Sequence, residues 1–379
     1  MAYPSGYAHY MEVTIDYPAA GLTDFPALFP IDSAHTNGDA TTLDVVFKNC
    51  LATGADVHFY ETATQTEIPS EIEAWSGGAG SNVTASIWVK IPSIAASGTK
   101  TVVRVYYEKA GDTAYSPASG VWDANFKGVW HCSDASTPLA DSTANGNTAA
   151  EVNTPAYGLT GKIGSAVDID SNTDAFTAPN VIDGASEITF SAWAYADSTP
   201  SSTSHLMSYS SNDYWAFSLT QTAFYTRDTS TGNNGTRNND VAYTMGTGAW
   251  HHVAARYSVS DGRKSVYKDG IEVAYSTTSV DALNSSNTYR LFGNHYAGGA
   301  NNWLDGRLDE MHLSVGIARS AAWLAFEYAN VTQADNELTW GTEQSGGVAG
   351  PSLSQLMRHR KYWDGSKFVI PPPGPLTLS

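Results

Sequence analysis

The stretch Gly248–Ala274, GAWHHVAARYSVSDGRKSVYKDGIEVA, decides the fold. Trp250, His252, Ala254 and Arg256 alternate with His251, Val253, Ala255 and Tyr257, as on a strand whose side chains leave by opposite faces. Lys264–Asp269 reads as a second strand. Asp269-Gly270 is a two-residue turn of the kind that closes hairpins, because both positions tolerate positive φ. Beyond it Ile271 and Val273 point one way and Glu272 the other. His251 and His252 are strand neighbours, so they project to opposite faces and cannot share a metal ion without a bulge. They read as structural histidines, with Trp250 buried beside them.

The same period runs along the chain. Residues 8–110 alternate in YMEVTIDY, TLDVVFKNC, ADVHFYE, SIWVKIPSI and KTVVRVYYEK, with Gly, Pro, Asn and Asp between the runs, as in a compact antiparallel sandwich. The small, polar stretch GDTAYSPASGVWDAN, 111–125, reads as a linker. A second block, 126–344, holds FKGVWHC, SAVDID, EITFSAWAYA, HLMSYS, YWAFSLT, AFYTRD, TYRLFGNHY and GRLDEMHLSVG around the opening hairpin. In EITFSAWAYA, Ile188, Phe190, Ala192, Ala194 and Ala196 share one face, small enough for a second sheet to approach. Trp193 and Tyr195 share the other, which is expected to be open to a ligand. One helix is expected near 319–330, capped by Ser320, with Trp323 and Phe326 on one side. Residues 345–379 form an extended tail ending in PPPGPLTLS. The fold class is all-β: two consecutive antiparallel, jelly-roll-like sandwiches, one short helix and a tail.

Composition narrows the function. Charged residues are 15% of the chain and aromatics 12%, with 11 Trp and 21 Tyr, which suits twisted sheets and polar turns better than long helices. A net charge of −18 excludes nucleic acid as the main partner. The tail runs against that charge, carrying Arg358, Arg360, Lys361 and Lys367 against Asp364 alone. Two cysteines, Cys50 and Cys132, make neither a disulfide framework nor a zinc spacing. The start, MAYPSGYAHYMEV, lacks the basic and apolar regions of a secretory signal, so maturation outside the general secretory route is expected. No run approaches the roughly 20 apolar residues of a membrane span. The Asn-x-Ser/Thr sequons at Asn82, Asn234, Asn284 and Asn330 then read as chance.

GAWHHVAARYS, VYKDGIEV, DGRLDEMHLS and IARSAAWLAFEY resemble, in order, the laminin-G-like branch of the concanavalin A-like lectin/glucanase superfamily. The likeness extends upstream through GVWHCSD, LADSTANGNTA and GKIGSAVDID, covering about 126–342. DVVFKN, EIPSEIEAW, ASIWVKIPSI and VVRVYYEK resemble an uncharacterised β-domain that commonly precedes such domains. That family ends in Tyr-Tyr-Gly-Asn, where this chain has Tyr106-Tyr107-Glu108-Lys109. RHRKYWDGSKFV resembles C-terminal segments of phage tail and other virion proteins.

Glucanases of that superfamily carry Glu-x-Asp-x-x-Glu, which sets two carboxylates on one strand face. This chain has no Glu-x-Asp. In DGRLDE, Asp305 and Asp309 share a face while Asp309 and Glu310 oppose. Gly-x-Ser-x-Gly and His-Glu-x-x-His are also missing. A non-enzymatic protein is therefore expected. The resemblance implies calcium as cofactor, with Asp141, Asn145, Asn147 and Asp309 as oxygen ligands; on the other reading Asp141 shapes a turn and Asp309 takes backbone or arginine hydrogen bonds. Sugar binding falls to SSNDYW and GNHYAGGANNW, through Asn212, Asp213, Tyr214, Trp215, Asn294, Tyr296, Asn301, Asn302 and Trp303, which pair aromatic faces with hydroxyl-reading groups; otherwise these residues are core, rim and turns. The tail is expected to dock on other virion proteins through Arg358, Arg360, Lys361, Tyr362, Trp363 and Phe368. Together these imply a virion structural or adhesion protein, a homo-oligomer that binds cell-surface glycan without inserting into a membrane. The alternatives are a decoration protein without sugar affinity and an accessory module of a glycan-hydrolase system.

Overall fold

The computed structural model describes residues 3–16, 21–96, 99–182, 184–199, 245–277, 280, 303–333 and 337–346, and the short strands 205–207, 215–218, 224–226, 289–292, 362–363 and 368–369. Among these, no helix is long and apolar enough to cross a membrane.

The first sandwich follows from the period-two runs. Leu22–Ile31, Ser81–Ile94 and Ser70–Gly78 make one antiparallel sheet. His9–Ile15, Thr101–Tyr107, His58–Glu61 and Thr66–Glu67 make the other. Met11, Val13, Val103, Val105, Phe25, Phe29, Ile87 and Val89 fill the space between. The outer edge of the second sheet comes from far along the chain: Leu338–Trp340 pairs with His9–Ile15, Val13 opposite Trp340. Gln344–Ser345 extends that pairing. Trp340 meets Phe29 and Phe47 edge-on, with centroids 5.9 Å away in each case. The block drawn from the sequence as 126–344 thus hands its last strand to the first sandwich. The stretch 111–125 is packed too, with Val121 and Trp122 in the same core.

In the second sandwich, an eight-stranded sheet runs in the order Ala156–Thr160, Ser165–Ile169, Gly306–Val315, Glu187–Ala196, Trp250–Ser258, Arg263–Lys268, Ile271–Ser276, with Phe126–Trp130 also on Gly306–Val315. Ile188, Phe190, Ala192, Ala194 and Ala196 face its core, together with Phe176 of the sheet Tyr289–Phe292, Ala175–Ala178, Ala150–Val152 and Leu206 and Met207 of the sheet His205–Met207, Trp215–Ser218, Phe224–Thr226. The small alanines do admit a facing layer. The opening hairpin closes at Asp269 (φ 51°) and Gly270 (φ 77°), the doubly left-handed turn its sequence requires.

The helix, Ala321–Thr332, starts at Ser320, whose hydroxyl accepts from Trp323 N at 3.1 Å. It lies between the sandwiches. Trp323 and Phe326 pack on Phe25, 4.7 and 4.8 Å between centroids. Tyr328, on the other side, stacks on Trp193 at 5.8 Å. Trp193 is therefore covered, 2% exposed, and the open face expected for Trp193 and Tyr195 shrinks to Tyr195 and its neighbours.

Candidate functional site

Two arrangements stand out, one sealed between the sandwiches and one at the surface. The sealed one begins in Gly306–Val315. Leu308, Met311 and Leu313 face the second core. Between them Glu310 takes φ 47° and the ladder slips: Ser191 stands opposite His312, but Trp193 opposite Asp309. This is a β-bulge, one extra residue on the strand, and it re-aims side chains. Asp309 and Glu310 were expected to oppose. The bulge instead sends Asp309, Glu310 and His312 to the side that meets the helix and the first sandwich.

There His131 Nδ1 lies 3.0 and 2.9 Å from the two Glu310 oxygens. His312 bridges Glu327 Oε1 at 2.8 Å and Glu310 Oε2 at 3.3 Å, and Ser191 donates to Glu327 at 2.8 Å. The first sandwich supplies Glu71 and Glu73 from one strand, whose ladder slips between Ile72 and Ala74, and both reach His131, at 3.7 and 3.8 Å. Each accepts an indole N–H, Glu71 from Trp122 at 2.7 Å and Glu73 from Trp88 at 2.8 Å. Burial and the Glu310 charge push the Glu73 carboxyl up to about 8. Burial pulls His131 down, but Glu310 and Glu73 outweigh it and raise it well above the ordinary histidine value. Burial pushes Glu310 up, and His131 more than reverses that, holding it ionised. These groups can trade protons or hold a cation, but they are closed to a polymeric substrate.

The surface arrangement is one transverse row of the same sheet. Asp168 pairs with Arg307, Arg307 with Tyr195, and Tyr195 with Trp250. Cross-strand partners share a face, so four side chains line up over about 14 Å, three strand spacings. Tyr195 and Trp250 are both half-buried, with centroids 5.7 Å apart at 61°. Trp250 was expected to be buried; it opens its strand, two residues before His252, whose ring meets Tyr328 of the helix, and it stays half-buried. The Arg307 guanidinium sits 4.5 Å over the Tyr195 ring and 3.7 Å from Asp197. Arg307 Nε and Asp168 Oδ1 find no hydrogen-bond partner among the described residues. Burial first, then Asp197, raises the Asp168 carboxyl.

The histidine pair is structural. His251 Nδ1 is 2.8 Å from Asp269 Oδ2. His252 is buried against Trp193, and burial lowers its pKa. Asp141 shapes a turn: Oδ1 accepts from Val129 N and Thr143 N, Oδ2 from Thr143 Oγ1 and Asn147 N. Those four bonds leave its carboxylate no free lone pair for calcium. Asn145 and Asn147 donate to Phe126 O and Lys127 O. Asp309 accepts from Lys162 N, Ile163 N and Glu310 N. No hydrogen bond or ion pair among the described residues joins it to Asp141. Of the sugar candidates, Trp303 is half-buried against the second core and Trp215 begins Trp215–Ser218. Asn212, Asp213, Tyr214, Asn294, Tyr296, Asn301 and Asn302 lie outside the described residues. In the tail, Tyr362–Trp363 pairs with Phe368–Val369; Arg358, Arg360 and Lys361 lie outside. Sequence reasoning missed Glu71, Glu73, His131, Glu310 and His312, and of the surface row it saw only Tyr195.

Residues 170–325 match the family described as concanavalin A-like lectin/glucanases superfamily. Residues 53–136 match a domain of unknown function, DUF2341. The sealed cluster draws on both stretches. No curated protein matches the chain. Similar solved structures include domain 4 of AbnA, an extracellular GH43 arabinanase from Geobacillus stearothermophilus, in complex with arabinotriose; it is 18% identical over 54% of this chain and 98% of that one, with TM-score 0.44. Trypanosoma rangeli sialidase is 12% identical over 62% of this chain and 41% of that one, TM-score 0.38. The botulinum neurotoxin serotype D binding domain is 10% identical over 54% and 51%, TM-score 0.38. Fold, motif order and family match agree that residues 170–325 are a laminin-G-like domain of the concanavalin A-like lectin/glucanases superfamily, set behind a β-domain of unknown function.

Proposed function

We propose that this is a non-enzymatic adhesion protein of a virion surface, whose second sandwich binds glycan across the row Asp168, Arg307, Tyr195 and Trp250. One observation carries the reading. Two half-buried aromatic rings stand in one cross-strand row with a guanidinium and a carboxylate. Aromatic faces take the apolar side of a sugar ring, and adjacent polar groups read its hydroxyls. The loop GNHYAGGANNW leads in sequence straight into Asp305 and Arg307. Non-enzymatic action is supported by the acidic residues themselves. Asp309 is tied to main-chain N–H groups, and Glu73, Glu310 and Glu327 are sealed inside. The basic segment around Arg358, Arg360 and Lys361 suits docking of the acidic chain on other virion proteins, as a homo-oligomer.

The test is a glycan array with the intact protein, followed by titration of any hit. Tyr195→Ala and Trp250→Ala are each expected to weaken binding about tenfold or more, about 1.4 kcal/mol. An array without hits, or variants that bind like the parent, refutes the row as a sugar site. Release of reducing ends from a bound polysaccharide refutes the non-enzymatic reading.

A further inference from the structure

The sealed cluster has more acid than its own bases balance. Glu71, Glu73, Glu310 and Glu327 converge with His131, His252 and His312, and the ion pairs these carboxylates make among the described residues are all to histidines. Glu73 and Glu310 are each 1% exposed at the side chain. Trp88 stacks over His131 at 5.9 Å, and Trp122 closes on His131 and His312 at 5.8 and 5.2 Å. Water is kept out, so an uncompensated negative charge is costly.

Within that volume one ligand atom from each of Glu73, His131 and Glu310 lies within 4.8 Å of the others. His131 Nδ1 is 2.9 Å from Glu310 Oε2 and 3.8 Å from Glu73 Oε2. Donors about 2.1 Å from one ion stand about 3.0–3.4 Å apart at square or tetrahedral angles. The His131–Glu310 edge already has that length, the His131–Glu73 edge has to close by a fraction of an ångström, and all three ligand atoms lie within 4.8 Å of one another. Glu73 Oε1 and His131 Nε2 are buried with no hydrogen-bond partner among the described residues. The carboxylate thus has coordination capacity its surroundings do not use.

We propose that Glu73, His131 and Glu310 form a buried site for a first-row divalent metal ion that ties the first sandwich to the second. One imidazole and two carboxylates suit zinc or manganese, whereas calcium takes oxygen donors. The ion neutralises the excess acid. Glu73 comes from one sandwich while His131 and Glu310 come from the other, so the ion clamps the junction. With this site sealed, metal enters as the chain folds.

The experiment uses the full chain without a histidine tag, unfolded in denaturant and refolded with zinc, manganese, calcium or chelator. Metal content after exhaustive buffer exchange and the melting temperature are read for each. Zinc or manganese is expected to remain at about one equivalent per chain and to raise the melt over the chelator sample, since a ligand of the folded state alone stabilises it. Glu73→Gln keeps an acceptor for the Trp88 indole and is expected to fold by circular dichroism, retain no metal, and melt identically in all four samples. The proposal fails if the parent refolds with less than about a tenth of an equivalent and superimposable melts; the cluster is then balanced by protons alone. It also fails if calcium alone is retained, or if Glu73→Gln holds metal like the parent.

Discussion

Asn330→Ala measures how firmly the helix ties the two sandwiches. Asn330 is 1% exposed. Its Oδ1 accepts from Leu28 N at 2.6 Å and its Nδ2 donates to Leu28 O at 3.1 Å. Leu28 lies on Leu22–Ile31, an edge strand whose sheet neighbour is Ser81–Ile94. The carboxamide therefore closes an open sheet edge as a further strand would, over 302 residues of sequence separation. Alanine leaves a buried N–H and a buried C=O unpaired, at about 1–3 kcal/mol each. Better helix propensity returns about half a kcal/mol. A net loss of about 1.5–5.5 kcal/mol is expected, read as a shift of the urea midpoint followed by tryptophan fluorescence. Asn330→Asp keeps the acceptor but sets a carboxylate against the Leu28 carbonyl, so it is expected to lose at least as much at neutral pH. A loss under about 0.5 kcal/mol for the alanine variant refutes the reasoning, because surface substitutions do no worse. The same contacts show that the Asn330-Val-Thr sequon is structural.

Arg319 is 4% exposed at the side chain, bonds both Asp123 oxygens at 2.8 and 3.0 Å and stacks over Trp323 at 4.1 Å; Arg319→Ala is expected to cost about 3–5 kcal/mol in chemical denaturation, as when one partner of a buried pair is removed. Burial pushes the Asp123 carboxyl up, but the Arg319 bonds and charge outweigh it and lower its pKa. Its stabilisation is therefore complete above the unfolded value of about 4 and lost as pH falls through the depressed folded one; Asp123→Asn is expected to flatten the acid limb of the stability profile and leave the rest of its shape. Gly270 and Gly248 both have positive φ, 77° and 73°, but a Cβ on Gly270 meets Ala325 Cα at 3.0 Å while one on Gly248 meets nothing within 4 Å. Gly248→Ala is expected to cost about 1–2 kcal/mol for the left-handed backbone alone, and Gly270→Ala measurably more by urea titration; equal losses end the claim that the hairpin presses on the helix.

The fold was legible where structure is local. Period-two alternation marks Glu187–Ala196, and Asp269-Gly270 marks its hairpin. What the sequence did not reveal is pairing across hundreds of residues. Nothing in LTW, 338–340, says that it belongs beside Val13, because a ladder is made of backbone groups every residue carries. The helix hid its second role for a related reason. Trp323 and Phe326 announce an apolar face, but the opposite face is also buried, where Glu327 takes a bond from Ser191 and Tyr328 stacks on Trp193. The stretch 111–125 reads as a linker by composition, yet Trp122 and Asp123 are held by Glu71 and Arg319.

The sites divide the same way. Loops chosen for aromatic and amide content name residue types that bind sugar, whereas the row from Asp168 to Trp250 depends on the register of four strands. Strict alternation sets Asp309 and Glu310 on opposite faces, and the sealed cluster exists because that rule breaks at Glu310. The bulge residue is a glutamate at φ 47° rather than the glycine that would advertise it. A left-handed non-glycine residue costs about 1–2 kcal/mol, and here the bonds to His131 and His312 hold it in place. A trace is still readable. Leu308, Met311 and Leu313 all face the second core, so the apolar spacing is three and then two. A strand cannot keep residues three apart on one face unless an extra residue lies between them. The change of parity between Leu308 and Met311 therefore locates the bulge from sequence, and with it the residues whose side chains must turn toward the junction.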